Sequence, residues 1–99
     1  MRIPWSGPAV RDFTQICDYI GEHGSAATAR RLALSIYERI GILTKFPEFG
    51  RAGRQPDTRE LVLTGLPYLA VNRLRGDSIE ILRLLHGAQD WPSSGSDQL

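Results

Sequence analysis

The residues best suited to chemistry lie in the stretch Phe49-Gly50-Arg51-Ala52-Gly53-Arg54-Gln55-Pro56-Asp57-Thr58-Arg59-Glu60-Leu61. Arg51, Arg54 and Arg59 fall within nine residues, and the interspersed glycines and proline shape a loop instead of a helix. A guanidinium presents its N–H donors in a fixed planar fork, so arginines on such a loop suit phosphate or carboxylate. The competing reading is a solvated linker that carries arginine, and spacing alone favours neither. More cations follow downstream: Arg73, Arg83 and then His86, trailed by Asp90 and Trp91. An open sheet face bearing Arg54, Arg59, Arg73 and Arg83 would hold an RNA backbone. Arginine would there stabilise charge developing at a phosphoryl centre under 2′-hydroxyl attack, and His86 would protonate the leaving oxygen. The plainer alternative pairs these arginines with Glu60, Asp77 or Glu80 and makes His86 a hydrogen-bonded structural residue. Gly50-Arg-Ala-Gly lacks the pattern of a phosphate-cradling loop, and no Ser/His/Asp set is visible.

Those side chains need a scaffold, and 99 residues at 41% apolar and 23% charged supply one ordinary globular domain with a core of its own. Its expected extent is residues 1–92, with a disordered tail over 93–99. The net charge of +1 makes the global field weak, so any contact with nucleic acid must come from local clustering. The single cysteine, Cys17, excludes an internal disulfide framework, fits a reducing cytosol and reads as a small buried hydrophobe. With only that cysteine and two histidines, His23 and His86, a metal site is not expected, and no cofactor motif is present. No apolar run approaches a membrane span and no hydrophobic signal core opens the chain, so the expected location is cytoplasmic.

The elements follow from periodicity. Met1–Trp5 alternates weakly, which suits a short strand, and Pro4 places it at a sheet edge or strand end. Ser6 caps a first helix with Pro8 in its first turn; Phe13, Ile16, Cys17 and Ile20 form its stripe, and Gly24 ends it. Ser25 caps a longer second helix with a stripe through Leu32, Ile36, Ile40 and Leu43, stopped by Phe46-Pro47. Gly41 within it would mark a close approach of two helices. The short connection implies an antiparallel helical hairpin. Three β-like runs follow, Arg59–Thr64, Tyr68–Leu74 and Ser78–Leu85, joined by Gly65-Leu66-Pro67 and Arg75-Gly76-Asp77. The fold class is therefore α+β in two layers: an N-terminal strand, an antiparallel helical hairpin, and a three-stranded antiparallel meander. Strict alternation that turns Leu82 and Leu84 toward the helices sends Arg83, and with it Arg73, to the open face. His86 then needs a bulge or the strand's end to join them.

Several local patterns together resemble the RelE/ParE superfamily of bacterial toxins. They are Trp5-Ser6 before the first helix, Asp18-Tyr19-Ile20 near its end, and the Ala-rich second helix. Phe46-Pro47-Glu48-Phe49-Gly50-Arg51, Thr58-Arg59-Glu60-Leu61 and Ile81-Leu82-Arg83-Leu84-Leu85-His86-Gly87 complete the set, and the resemblance runs over about residues 3–91. It implies the same fold and a toxin neutralised by a cognate antitoxin. Two activities divide the superfamily: RelE-like members cleave messenger RNA on the ribosome, and ParE-like members poison DNA gyrase. The leucine-rich run into His86-Gly87 and the Pro-Glu-Phe-Gly-Arg segment are similar to ParE-like chains. The lysine-rich loop of the nucleases is absent, since Lys45 is the only lysine. On the ParE-like side there is no catalytic set, and Arg51, Arg54, Arg59, Arg83, His86 and Trp91 would meet the target. On the RelE-like side Arg54, Arg59, Arg73, Arg83 and His86 would be catalytic. An antitoxin would lay an amphipathic helix along the hairpin or add a strand to an open edge, received by Tyr37 and Phe49. Phe46, also apolar, is expected in the core, and Trp91 would either cover the end of the sheet or touch the target.

Overall fold

The computed structural model describes residues 1–87. The side chain of Ser6 accepts the amide of Ala9 and Pro8 occupies the first turn, so α1 runs Gly7–His23, as its cap and proline predict. Ser25 accepts from the amide of Thr28 and starts α2, Ala26–Ile40. The helical run then tightens into a 3₁₀ turn over Gly41–Thr44 before Pro47. Gly41 marks no close approach: a methyl there meets nothing within 4 Å. Its φ of −58° and ψ of −20° suit any residue, so Gly41→Ala is expected to stabilise the chain by about 0.5–1 kcal/mol through reduced unfolded-state entropy. Urea denaturation would show this as a higher midpoint at an unchanged slope.

The sheet has four strands in the order β1-β2-β3-β4, all antiparallel: β1 Arg51–Ala52, β2 Arg59–Val62, β3 Tyr68–Arg75 and β4 Ser78–His86. The three-stranded meander is as the sequence predicts, with Gly65 and Gly76 supplying positive φ in its turns. β1 is an addition: part of the arginine loop folds back and pairs with Arg59 and Glu60. The N-terminal segment forms no continuous strand. It lies parallel to β4 with bridges at Arg2–Ser78 and Trp5–Ile81, and leaves the edge where Ser6 donates its amide to Ile81 and its hydroxyl to Leu82. The same hydroxyl oxygen caps α1, so one residue ends the strand contact and begins the helix.

Ile36, Ile40 and Leu43 from the helical run pack with Leu61, Leu63, Ala70, Ile79, Ile81 and Leu84 from the sheet layer. Each fully buried Ile or Leu contributes about 1.5–3 kcal/mol relative to exposure, so this cluster is the principal source of stability. Alternation fails once, in β4. Val71 pairs with Arg83 but Asn72 pairs with Ile81, so Leu82 is an extra residue opposite that step. Ile79, Ile81 and Leu84 face the helices, whereas Leu82 joins a second buried cluster with Leu69, Val71 and Leu85. Leu69 and Val71 flank the inward-facing Ala70, so that second cluster lies on the outer face of the sheet.

Candidate functional site

The sheet register separates most of the predicted arginines, although Arg59 and Arg73 line one groove of about 500 Å³ together with Arg75. Arg51, Glu60, Val71 and Arg83 form one row across the four strands, in phase with the outer face. Ala52, Arg59, Asn72 and Ile81 form the neighbouring row, which points the other way. Arg59 is therefore not on the outer face with Arg54, contrary to the sequence expectation. Its guanidinium donates to the carbonyls of Gly50 at 3.0 Å and Glu48 at 3.4 Å, tying the segment before β1 to β2.

Glu60 is the hub of the arginine loop. It is only 2% exposed, and both of its oxygens are taken. Arg54 Nε donates to Oε2 at 2.9 Å, the Arg54 amide to Oε2 at 3.1 Å, and Arg54 Nη2 to Oε1 at 3.2 Å. Arg51 Nη2 adds a further bond to Oε1 at 3.2 Å. The guanidinium of Arg54, then its amide and Arg51, outweigh burial and hold the Glu60 carboxyl down at about 2. A carboxyl depressed on folding stabilises the protein above its unfolded pKa, and that contribution is lost as pH falls through the folded value. Titration in urea is therefore expected to show stability falling from about pH 4.5 toward about 2. The Glu60→Gln protein should lack this part of the decline.

Gly53 lets the loop close over this carboxylate. Its amide donates to the carbonyl of Thr58 at 2.8 Å, and a methyl at Gly53 would stand 2.2 Å from Thr58 Oγ1. The Thr58 hydroxyl donates to Gln55 O at 2.7 Å, and Asp57 takes a positive φ of 63° at the turn. The glycines and proline thus form a tight loop, as their types predict, with a carboxylate at its centre.

Arg73, two residues along from Val71, keeps to the outer face but is paired there. It bonds Glu80 at 2.8 Å, its cross-strand partner, and Arg75 approaches the same carboxylate at 3.9 Å. These contacts, Arg73 first, lower the Glu80 carboxyl. Arg83 makes a two-pronged contact with Asp12 of α1, Nε–Oδ2 at 2.7 Å and Nη2–Oδ1 at 3.0 Å, and this bonding raises the guanidinium further above its usual value. Asp12 Oδ2 also accepts the Leu84 amide at 3.0 Å, so one carboxylate ties α1 to the strand just past the bulge. The outer face is thus an apolar centre fringed by arginine–carboxylate pairs, not the concave cationic surface that alternation suggests.

His86, the last residue of β4, does join Arg83, at the strand's end and not through the bulge, since the ladder between them is regular. The two line a groove of about 350 Å³ between α1 and the end of β3–β4, with Asp12, Gln15, Tyr19 and Tyr68 on its walls. Tyr68 meets the imidazole edge-on, with ring centroids 5.9 Å apart, and burial pushes its phenol up. Arg54 and Arg59 are not among the residues of this groove. Trp91 and the 93–99 tail lie outside the described residues. Tyr37 is half exposed and packs at 5.3 Å from Trp5, tilted, and from Phe13, edge-on. Phe49 is 62% exposed, and Phe46 is 54% exposed, so Phe46 is not the core residue expected of it. The 3₁₀ turn carries Leu43 into the core and leaves Phe46 beyond it, where it lines a shallow surface groove with Lys45, Pro47 and Phe49.

In the sequence Glu60 is only one possible counterion, and Asp12 and Tyr68 carry no mark of a role. Glu60 was detectable as the lone carboxylate of Thr58-Arg59-Glu60-Leu61 beside three arginines. Asp12 had no such mark, because its partner is 71 residues away.

A helical hairpin on an antiparallel sheet, bearing a clasped arginine loop, makes this a small two-layer α+β protein. The chain belongs to the family described as ParE toxin of type II toxin-antitoxin system, parDE, whose sequence model matches residues 3–91. It is 40% identical over 91 residues to Y4kP of Sinorhizobium fredii, covering 92% of this chain and 93% of that protein. It is 33% identical over 88 residues to Toxin RelE2 of Caulobacter vibrioides, covering 89% and 97%. A chain from the chromosomal ParDE TA system of P. aeruginosa superposes with a TM-score of 0.79 at 27% identity, covering 87% of this chain and 95% of that one. No helix among the described residues is long and apolar enough to cross a membrane.

Proposed function

We propose that this toxin acts on DNA gyrase, blocking replication, and that a cognate antitoxin neutralises it. The observation that carries the gyrase reading is the engagement of the arginines that a nuclease would need. Arg83 is committed to Asp12 and Arg73 to Glu80, Arg59 holds backbone carbonyls, and Arg54 bonds a buried carboxylate away from the His86 groove. A set for phosphoryl chemistry would have to converge on one reacting centre. The family match over residues 3–91 to ParE toxin supports the same side. On this reading the target meets the sheet margin: Arg51 and Arg54 on the loop, Arg59 behind them, and Arg83 and His86 toward the other end.

The antitoxin reading rests on the superposable chain from a ParDE TA system and on two exposed aromatic sites. Tyr37 would take a helix lying along the hairpin. Phe49 stands beside Val62, which is 53% exposed on β2 past the reach of the two-residue β1, where an extended segment could add to the sheet.

The test is to incubate the purified protein with gyrase and supercoiled DNA, and separately to map messenger RNA ends after induction in cells. Accumulated DNA cleavage complexes with intact messages are the expected result. Codon-positioned cuts with normal gyrase activity would overturn it in favour of a ribosome-dependent nuclease centred on Arg83 and His86.

A further inference from the structure

We propose that Glu60 is a positioning residue for toxicity: its buried carboxylate fixes the spacing and direction in which Arg51 and Arg54 are presented to the toxin's target. The inference rests on the reading that the arginine loop meets that target, and it adds a residue that does not itself touch it.

The geometry is that of a clasp facing outward. Glu60 is nearly sealed from solvent, whereas the side chains it holds remain 61% exposed at Arg51 and 42% at Arg54. Arg51 is fixed by strand pairing to Glu60 itself, and Arg54 by three bonds to the same carboxylate, one of them from its backbone. Two guanidiniums from different parts of the loop, one on a strand and one on a turn, are therefore registered against a single inner anion. A free arginine side chain forfeits about 2 kcal/mol of rotamer freedom on binding, and arginines held in place beforehand lose less of it. A loop built only to be solvated would have no need of a carboxylate at its centre, since the arginines alone remain soluble. A purely electrostatic loop would be better without one, because Glu60 cancels one of the two charges.

That last point separates placement from charge. Glu60→Gln makes the loop more basic by one unit while its amide NH₂ faces donors where an acceptor is needed. Arg51→Lys with Arg54→Lys keeps the charge and lets Glu60 remain paired, but removes the planar fork. Both variants and the wild-type full-length chain are induced from a titratable promoter. Growth arrest is read against the amount of soluble protein, and fold is checked by circular dichroism and thermal melting. The expected result is that both variants fold and each needs at least about tenfold more protein to arrest growth, corresponding to about 1.4 kcal/mol of binding. Arrest by either folded variant at wild-type levels, or stronger arrest by Glu60→Gln, would overturn the proposal. Growth arrest reads the role of Glu60 whichever machine is hit. A wild-type chain that fails to arrest growth instead counts against the toxin reading, and a wild-type chain that kills without gyrase cleavage complexes counts against gyrase alone.

Discussion

Gly53→Ala is expected to destabilise the protein by about 3 kcal/mol, at the upper end of overpacking effects. The added methyl would stand 2.2 Å from Thr58 Oγ1, 2.9 Å from Thr58 O and 3.0 Å from Thr58 C. The hydroxyl could rotate away, but the backbone could not. Thr58 immediately precedes β2, whose first residue, Arg59, is locked to Ala52 on one side and Asn72 on the other. Relief must therefore come from opening the loop, which breaks the 2.8 Å bond from Gly53 to Thr58 and loosens Arg54 from Glu60. Urea denaturation of Gly53→Ala measures the loss. Adding Thr58→Ala removes only the hydroxyl contact, so the double variant should recover a minor part of it. Full recovery would mean that the backbone approach is not limiting, and a change below about 0.5 kcal/mol would mean that the loop is slack.

Asp12→Ala is expected to cost about 3 kcal/mol, near the range for breaking a buried ion pair by removing one partner. Three donors lose their acceptor at once: Arg83 Nε, Arg83 Nη2 and the Leu84 amide. The Asp12 and Arg83 side chains are only 14% and 29% exposed, so water replaces the carboxylate poorly. At 4–8 °C per kcal/mol for a domain of this size, the melting temperature should fall by about 15 °C. Asp12→Asn keeps one carbonyl acceptor and should lose about half as much. Equal melting of the alanine variant and wild type would show that α1 is held to β4 by apolar packing alone.

Both predictions concern contacts of different legibility. The loop around Gly53 could be foreseen as a loop, because glycine and proline act on their own backbone. Its carboxylate centre could not, since Glu60 reads from sequence as a strand residue with an undetermined partner. The helices were legible in detail for the same local reason: Ser6 and Ser25 each bond an amide three residues ahead, and Pro8 needs no partner. Gly41 misled because a glycine within a helical run usually signals packing, whereas here it stands in open space where α2 tightens.

The strand meander and its turns were likewise written in the residues, through β-like runs and the positive-φ glycines Gly65 and Gly76. The facing of Leu82 and Arg59, and the carboxylates that the arginines meet, were not. A period of two assigns faces only while the ladder is unbroken, and the extra residue at Leu82 reverses the assignment for everything after it. Leu82 is already outward because Ile81 faces inward, and the extra residue there keeps Arg83 on the outer side, from which it reaches Asp12.

What the sequence determined by itself was therefore everything set by interactions within a few residues: two capped helices, three strands, a constrained arginine loop and the family they resemble. What the tertiary structure decided was which charges meet. Asp12 with Arg83 and Arg73 with Glu80 depend on strand register and helix placement, and Glu60 is saturated only once the loop has folded back as β1. Side-chain ions find partners by distance in space, and spatial distance across a sheet is fixed by hydrogen-bond register, a property that no segment of the chain carries alone.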